Sequence, residues 1–124
     1  MFSIHNTTKG KPPRLPFLKI KEAVLGNQYD LSLVFIGSRR SQTLNRTYRG
    51  KDKPANVLSF PIDAHTGEIY IDIRTAAKEA KYFDRTPRQF IGDLFIHGLF
   101  HLKGYAHGSK MESEEKKIKE HFNI

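Results

Sequence analysis

Three of the chain's six histidines fall within the eleven residues His97-Gly98-Leu99-Phe100-His101-Leu102-Lys103-Gly104-Tyr105-Ala106-His107. His97 and His101 stand one helical turn apart, which on a helix puts their Cβ atoms about 5–6 Å from each other on one face. Two imidazoles so placed can converge on one metal ion at Zn–N distances of about 2.0–2.1 Å. Gly104 then permits the left-handed turn that ends a helix, and it swings His107 toward the open side of the pair. Three neutral ligands with a fourth position open describe a catalytic zinc site, because structural sites usually carry four protein ligands. A lone histidine on an apolar helix face is more often a hydrogen-bonded core residue; this pair gains its meaning from Gly104 and His107 at their offsets. With no cysteine in the chain, any metal is held by nitrogen or oxygen.

The elements that must position these residues are legible around them. Thr86, Pro87 and Gln89 mark a helix start: a capping threonine, a proline at the first helical position, and a glutamine that completes a capping box. Phe90, Ile91, Leu94, Phe95, Leu99 and Leu102 follow at helical spacing and predict a central helix, with Phe90, Leu94, His97 and His101 on one stripe. After His107, Ser109 is placed to cap a last helix, Met111 to Phe122, whose Glu112, Glu114 and Glu115 read as a solvated face. Upstream, Phe2 to His5 reads as a short strand. Phe17, Leu18, Ile20, Val24 and Leu25 read as the buried face of a helix stopped by Gly26.

Leu31 to Ile36 reads as a mostly buried strand, and Ser38 as the N-cap of a helix running to about Tyr48. Asn56 to Ile62 and Glu68 to Ile73 read as strands joined by the hairpin loop Asp63–Gly67, with His65 at its tip a remote option for a fourth ligand. Ala76 to Phe83 reads as a short helix. Strands and helices in this non-repeating order predict an α+β fold: a small mixed β-sheet with helices packed mainly on one side and the metal site on a central helix. One set of motifs in 124 residues predicts a single domain, residues 1-124.

The histidine spacing matches the metzincin protease pattern except at one place. Metzincins carry a glutamate general base after the first histidine, and here that position is Gly98. The form His-Gly-x-x-His-Leu-x-Gly-Tyr-x-His instead resembles the YbeY family of bacterial rRNA maturation factors. Two further segments carry the likeness. Leu44 to Pro61 is similar to that family's Leu-Asn-x-x-Tyr-Arg segment followed by Val-Leu-Ser-Phe-Pro, and Gly67-Glu68-Ile69-Tyr70-Ile71 is similar to its Gly-Asp-Ile-x-Ile. The chain departs from the pattern at Ala106, where members usually carry Asp, and at Ala55, where they carry Thr.

The resemblance implies the same fold and a metal-dependent, single-strand-specific endoribonuclease, with one Zn2+ per chain on His97, His101 and His107. Such an ion can activate water or polarise a phosphoryl oxygen. Phosphodiester cleavage also builds negative charge on the non-bridging oxygens, and Arg49 is the candidate catalytic residue to clamp them. The attacking group is left open between activated water and the RNA's own 2′-hydroxyl.

Lys plus Arg total 21 against 13 Asp plus Glu, a net charge of +8 with a pI near 9.8. That balance favours a polyanionic partner, because basic side chains displace condensed counterions from phosphates. Arg39, Arg40, Arg46, Lys51 and Lys53, clustered around Arg49, are the candidate RNA-binding residues. No segment pairs a basic face with a wide apolar one, and the longest strongly apolar run, Leu31 to Ile36, is far too short to span a bilayer, so no membrane partner is expected. Without a stretch resembling a signal peptide, the cytoplasm is the expected compartment. The expected function is processing of single-stranded rRNA, at the 16S 3′ end, in maturation of the ribosomal small subunit, with no preference for DNA. The alternatives are a ribosome-associated RNA-binding factor whose metal only braces the fold, and a metalloprotease, which here lacks its base.

Overall fold

The computed structural model describes all 124 residues and turns the apolar runs into four strands and five helices. In chain order these are β1 (Phe2–Asn6), α1 (Phe17–Leu25), β2 (Asp30–Ile36), α2 (Ser38–Arg49), β3 (Val57–Asp63), β4 (Thr66–Asp72), α3 (Ile73–Ala80), a 3₁₀ turn (Lys81–Phe83), α4 (Pro87–Leu102) and α5 (Ser109–Phe122). The sheet order is β1-β2-β4-β3. β1 and β4 both run parallel to β2 while β3 returns antiparallel to β4, so the sheet is mixed and the fold α+β. β3 is an edge strand that carries Pro61 and slips register between Pro61 and Asp63. No helix is long and apolar enough to cross a membrane.

Successive strand residues point to opposite faces. Leu31, Leu33, Phe35, Ile69 and Ile71 face a core shared with Phe17 and Ile20 of α1, Phe95 and Leu99 of α4, and Met111 of α5. Tyr70 faces the other way, with the Arg40 guanidinium of α2 5.7 Å from its ring centre. Helices therefore pack mainly on one side of the sheet, and α2 lies on the other.

Central to this arrangement is α4, where nine of sixteen residues are buried, from Phe90 to Phe100. A helix apolar on nearly every side belongs inside the protein rather than on its surface. Its start follows the sequence: Thr86 Oγ1 accepts from the Gln89 amide at 3.1 Å, and Gln89 Oε1 accepts from the Thr86 amide at 3.0 Å. A cap of this kind contributes about 1 kcal/mol.

Several boundaries fall differently from the sequence expectation. Gly37, not Ser38, precedes α2, because the Ser38 hydroxyl turns to Asp72 Oδ1 at 3.3 Å instead of capping its own helix. Ser109 likewise opens α5 from inside, with Gly108 before it and no side-chain cap. The β3–β4 hairpin turns on Ala64 and His65 alone, and Gly67 is a strand residue in register with Leu31. Its missing side chain serves packing, since a Cβ there would collide with the Tyr29 hydroxyl. Asp72 accepts from the Thr75 amide at 3.1 Å and caps α3, so Ile73 begins a helix instead of ending a strand. The helix expected from Ala76 thus starts earlier, and Lys81–Phe83 tightens to 3₁₀. On α1, Leu18 is exposed and Lys21 buried, because Phe17, Ile20, Lys21 and Val24 share one side of a 3.6-residue helix.

Helix and sheet meet tightly at Gly98. A Cβ on Gly98 would lie 2.9 Å from Ser59 Oγ and 3.0 Å from Ile69 Cδ1, and Ile69 is wholly enclosed by the core. Gly98→Ala is therefore expected to lower stability by about 1–3 kcal/mol through overpacking. Urea unfolding checks this: the midpoint should fall while the slope stays unchanged.

Candidate metal centre and its cavity

The stripe of α4 formed by Phe90, Leu94, His97 and His101 lines one wall of a cavity of about 650 Å³. Past the helix end Gly104 takes φ +102°, and Tyr105 packs edge-on against Phe100 at 5.3 Å. The turn returns His107 to the pair, its ring centre 5.0 Å from that of His97 and 4.5 Å from that of His101. One ring nitrogen from each of the three lies within 4.8 Å of the others. His65 sits in the exposed hairpin turn, outside this cluster.

Glu115 of α5 orients the first histidine. His97 Nδ1 donates to Glu115 Oε2 at 2.8 Å, which leaves Nε2 as the free nitrogen, 3.0 Å from His101 Nε2. Burial, followed by the neighbouring His97 and His107, holds His101 below the ordinary imidazole range. It therefore stays in the neutral form that ligates metals. At this distance one Nε2 can donate a hydrogen bond to the other, and with both nitrogens unprotonated the two lone pairs face one point where a cation fits. Three imidazoles meeting with no thiolate or carboxylate among them could hold a metal ion, and the donor set suits a zinc-class cation.

Arg49, the last residue of α2, lines the same cavity, and its charge reaches His101. The loop that follows is pinned to α2 by two polar residues. Ser41 Oγ donates to the Ala55 carbonyl at 2.6 Å and accepts from the Ala55 amide at 2.8 Å, while Asn45 Nδ2 donates to the Lys53 carbonyl at 2.8 Å. Both carboxylates that line the cavity are already engaged. Asp93 accepts from Nε and Nη2 of Arg85, each at 2.8 Å, with Lys119 Nζ at 3.7 Å, and Glu115 is held by His97. With Arg49, Arg85 and Lys119 against Asp93 and Glu115 the lining is net positive, and neither carboxylate is free of a hydrogen-bond partner to stand ready as a general base. Gly98 cannot be exchanged for the missing glutamate of a metzincin either, because even a methyl group there crowds Ser59 and Ile69.

Of the basic residues picked out in the sequence, Lys51 and Lys53 line a second cleft of about 220 Å³ that shares Arg49, Asn56 and Val57 with the first. Arg39, Arg40 and Arg46 are not brought to either. Arg46 pairs with Asp52 at 3.4 Å, Arg39 is exposed, and Arg40 sits over Tyr70 on the far face of the sheet. Arg40 and Arg49 are nine residues apart, about two and a half turns, and so project from opposite sides of one helix. Glu115, expected to be solvated, is buried. The signal for it was Met111, Glu115, Ile118 and Phe122, which recur on one face of α5 and pack together inward. Asp93 could have been found as the one charged residue amid the apolar run before His97. Arg85 and Lys119 carry no such signal.

A buried central helix in an α+β fold thus carries a three-histidine cluster that could hold a metal ion, on the wall of a cavity it shares with Arg49. A family profile for endoribonuclease YbeY matches residues 15–123. The chain is similar to endoribonuclease YbeY of Alkaliphilus metalliredigens, 37% identical over 103 residues that cover 74% of this chain and 66% of that protein. It is also similar to the Alkaliphilus oremlandii protein of the same name, 38% identical over 89 residues that cover 64% and 59%. The chain belongs to the endoribonuclease YbeY family. It spans about two thirds or less of the length of these curated relatives. A solution structure of a Thermotoga maritima protein matches over 97% of this chain and 88% of that one, with a TM-score of 0.67 at 26% identity.

Two replacements separate ligand from support. His97→Ala combined with His101→Ala should abolish stoichiometric metal binding in elemental analysis, and full retention of metal would remove the ligand assignment. Glu115→Ala keeps all three imidazoles but frees the His97 ring, so calorimetric titration with Zn2+ should show affinity about 10–100-fold weaker.

Proposed function

We propose that this chain is a zinc-dependent, single-strand-specific endoribonuclease that processes rRNA, at the 16S 3′ end, during cytoplasmic maturation of the ribosomal small subunit, with residues 1–124 acting as one domain. The observation that carries this reading is the meeting of His97, His101 and His107 with Arg49 in one cavity whose carboxylates are already paired. The reaction class is supported by the name the relatives bear, endoribonuclease.

His97, His101 and His107 would hold the ion, which when bound supplies Lewis-acid polarisation at the phosphoryl group and makes water a better nucleophile near neutral pH. The chain's own side chains do the rest. Glu115 keeps the His97 ring turned inward. Arg49 presents a planar fork of donors to the non-bridging oxygens, where it gains most as negative charge accumulates. Lys51 and Lys53 continue the positive track from Arg49 and attract the backbone of an RNA strand without reading its sequence.

A second reading, an RNA-binding factor braced by its metal, draws on the Glu115–His97 bond, which ties α5 to α4 at the site. Chelation separates the two. A bracing ion leaves a melted protein, whereas a catalytic ion leaves a folded and inactive one.

Arg49→Ala should retain the fold and the metal, bind RNA only slightly more weakly, and cut on the order of 100-fold more slowly. Arg49→Lys should restore part of the rate, since an ammonium cannot reproduce the bidentate fork. Single-turnover cleavage at saturating protein is the measurement, with melting curves and metal content as controls; near-normal cleavage by folded, metal-loaded Arg49→Ala would take Arg49 out of the site. RNA affinity should also fall steeply with salt, by about 0.7 logarithmic unit per phosphate contacted for each tenfold rise. An affinity indifferent to salt would contradict the electrostatic track.

A further inference from the structure

Among the residues lining the 650 Å³ cavity is Phe83, a residue 61% exposed. One face of that ring is occupied: it stacks on Phe90 with centres 5.0 Å apart and planes only 16° from parallel. Phe90 itself is buried and opens the stripe that continues through Leu94 to His97, so the stack is anchored to the helix that carries the histidines.

The segment presenting Phe83 is held at several points. Its 3₁₀ turn ends at Asp84 in the left-handed region, φ +55°. The Arg85 amide donates back to the Ala80 carbonyl at 3.0 Å, and the Arg85 guanidinium grips Asp93 with two bonds. Leaving a rigid phenyl ring in water costs solvation free energy that a buried orientation would recover. A flat apolar face kept open at the mouth of a positively charged cavity is what an unpaired nucleobase needs, since every base has a π-face and its phosphate carries the complementary charge. The neighbouring Tyr82 is exposed too, with Lys81 Nζ 5.5 Å from its ring centre, but it does not line the cavity.

We infer that Phe83 is a stacking platform for the base of a nucleotide beside the cleaved phosphodiester, and that it favours single strands because that base must leave its own stack to reach the ring. This rests on the endoribonuclease reading above. Phe83 is a substrate-positioning residue, and it touches neither the histidines nor Arg49 in their roles. A purely structural part for Phe83, shielding Phe90 at the start of α4, predicts something different: leucine would then serve as well as an aromatic ring.

The test uses the metal-loaded full chain and a short single-stranded oligoribonucleotide carrying 2-aminopurine or an abasic residue at successive positions around the cut. Phe83→Ala should raise the half-saturating RNA concentration about tenfold or more, a factor of ten being about 1.4 kcal/mol. The maximal single-turnover rate should change much less. Phe83→Tyr and Phe83→Trp should restore binding, and Phe83→Leu should not. With wild-type protein, 2-aminopurine fluorescence should change on binding at one position, and an abasic residue there should cost as much as Phe83→Ala does. The same abasic residue should cost Phe83→Ala nothing further. Cleavage and binding by Phe83→Ala equal to wild type, or rescue by leucine as good as by tryptophan, overturns the platform and leaves the endoribonuclease reading standing. Failure of the wild-type protein to bind or cut any RNA overturns that reading and the platform together. Should Phe83→Ala melt early, the comparison of leucine with tyrosine carries the test alone.

Discussion

The site depends on how closely α4 lies against the sheet at Gly98. Residue 98 points straight at Ser59 and Ile69 with no room for a side chain, and that contact fixes both the depth and the rotation of the helix. Adjacent helical residues are about 100° apart, so with Gly98 against the strands His97 is turned aside toward α5, and His101 one turn on follows it. A helix standing further from the sheet would carry its histidines out of reach of β3 and of Arg49, which comes in from the opposite layer. The absence of the protease glutamate has the same origin. The position next to the first ligand is occupied by packing and is closed to chemistry.

Two polar rungs tie the last helix to this axis. Asp93 and His97 are four apart on α4, Glu115 and Lys119 are four apart on α5, and the pairs meet crosswise, His97 with Glu115 at 2.8 Å and Asp93 with Lys119 at 3.7 Å. Partly buried polar contacts, whether a hydrogen bond such as His97–Glu115 or an ion pair such as Asp93–Lys119, contribute little net stability, because desolvation offsets much of the attraction. Their effect here is directional: they set the register of two helices and the aim of one imidazole. They also leave Arg49 with no carboxylate competitor among the lining residues.

The local chemistry was legible in the sequence wherever it is written in neighbouring residues. The capping box at Thr86, the stripe through His97 and His101, the turn at Gly104 and the strand at Leu31 all rest on spacings of a few positions, and the structure has them where the spacings put them. What escaped was set by contacts between distant segments. Ser38 is drawn from capping by Asp72, thirty-four residues away. Gly67 is small because of Tyr29 and Leu102 and not because of the hairpin it follows. Glu115 looked like one of several charges on a polar helix, and only the inward stripe from Met111 to Phe122 distinguishes it from Glu112 and Glu114. The arginines of α2 are neighbours in sequence, whereas the helix separates Arg40 from Arg49 by half a turn of its circumference.

The edges of the sheet bear on how the protein behaves in a crowded solution. An open strand edge is a template for another strand, and sheets that expose one tend to polymerise. Here one edge, β1, is only five residues long, and the other, β3, is interrupted by Pro61, which has no amide hydrogen to offer, and by the irregular register that follows it. The charge of +8 adds mutual repulsion between copies. Self-association through open strand edges is thus discouraged at the backbone and at long range together.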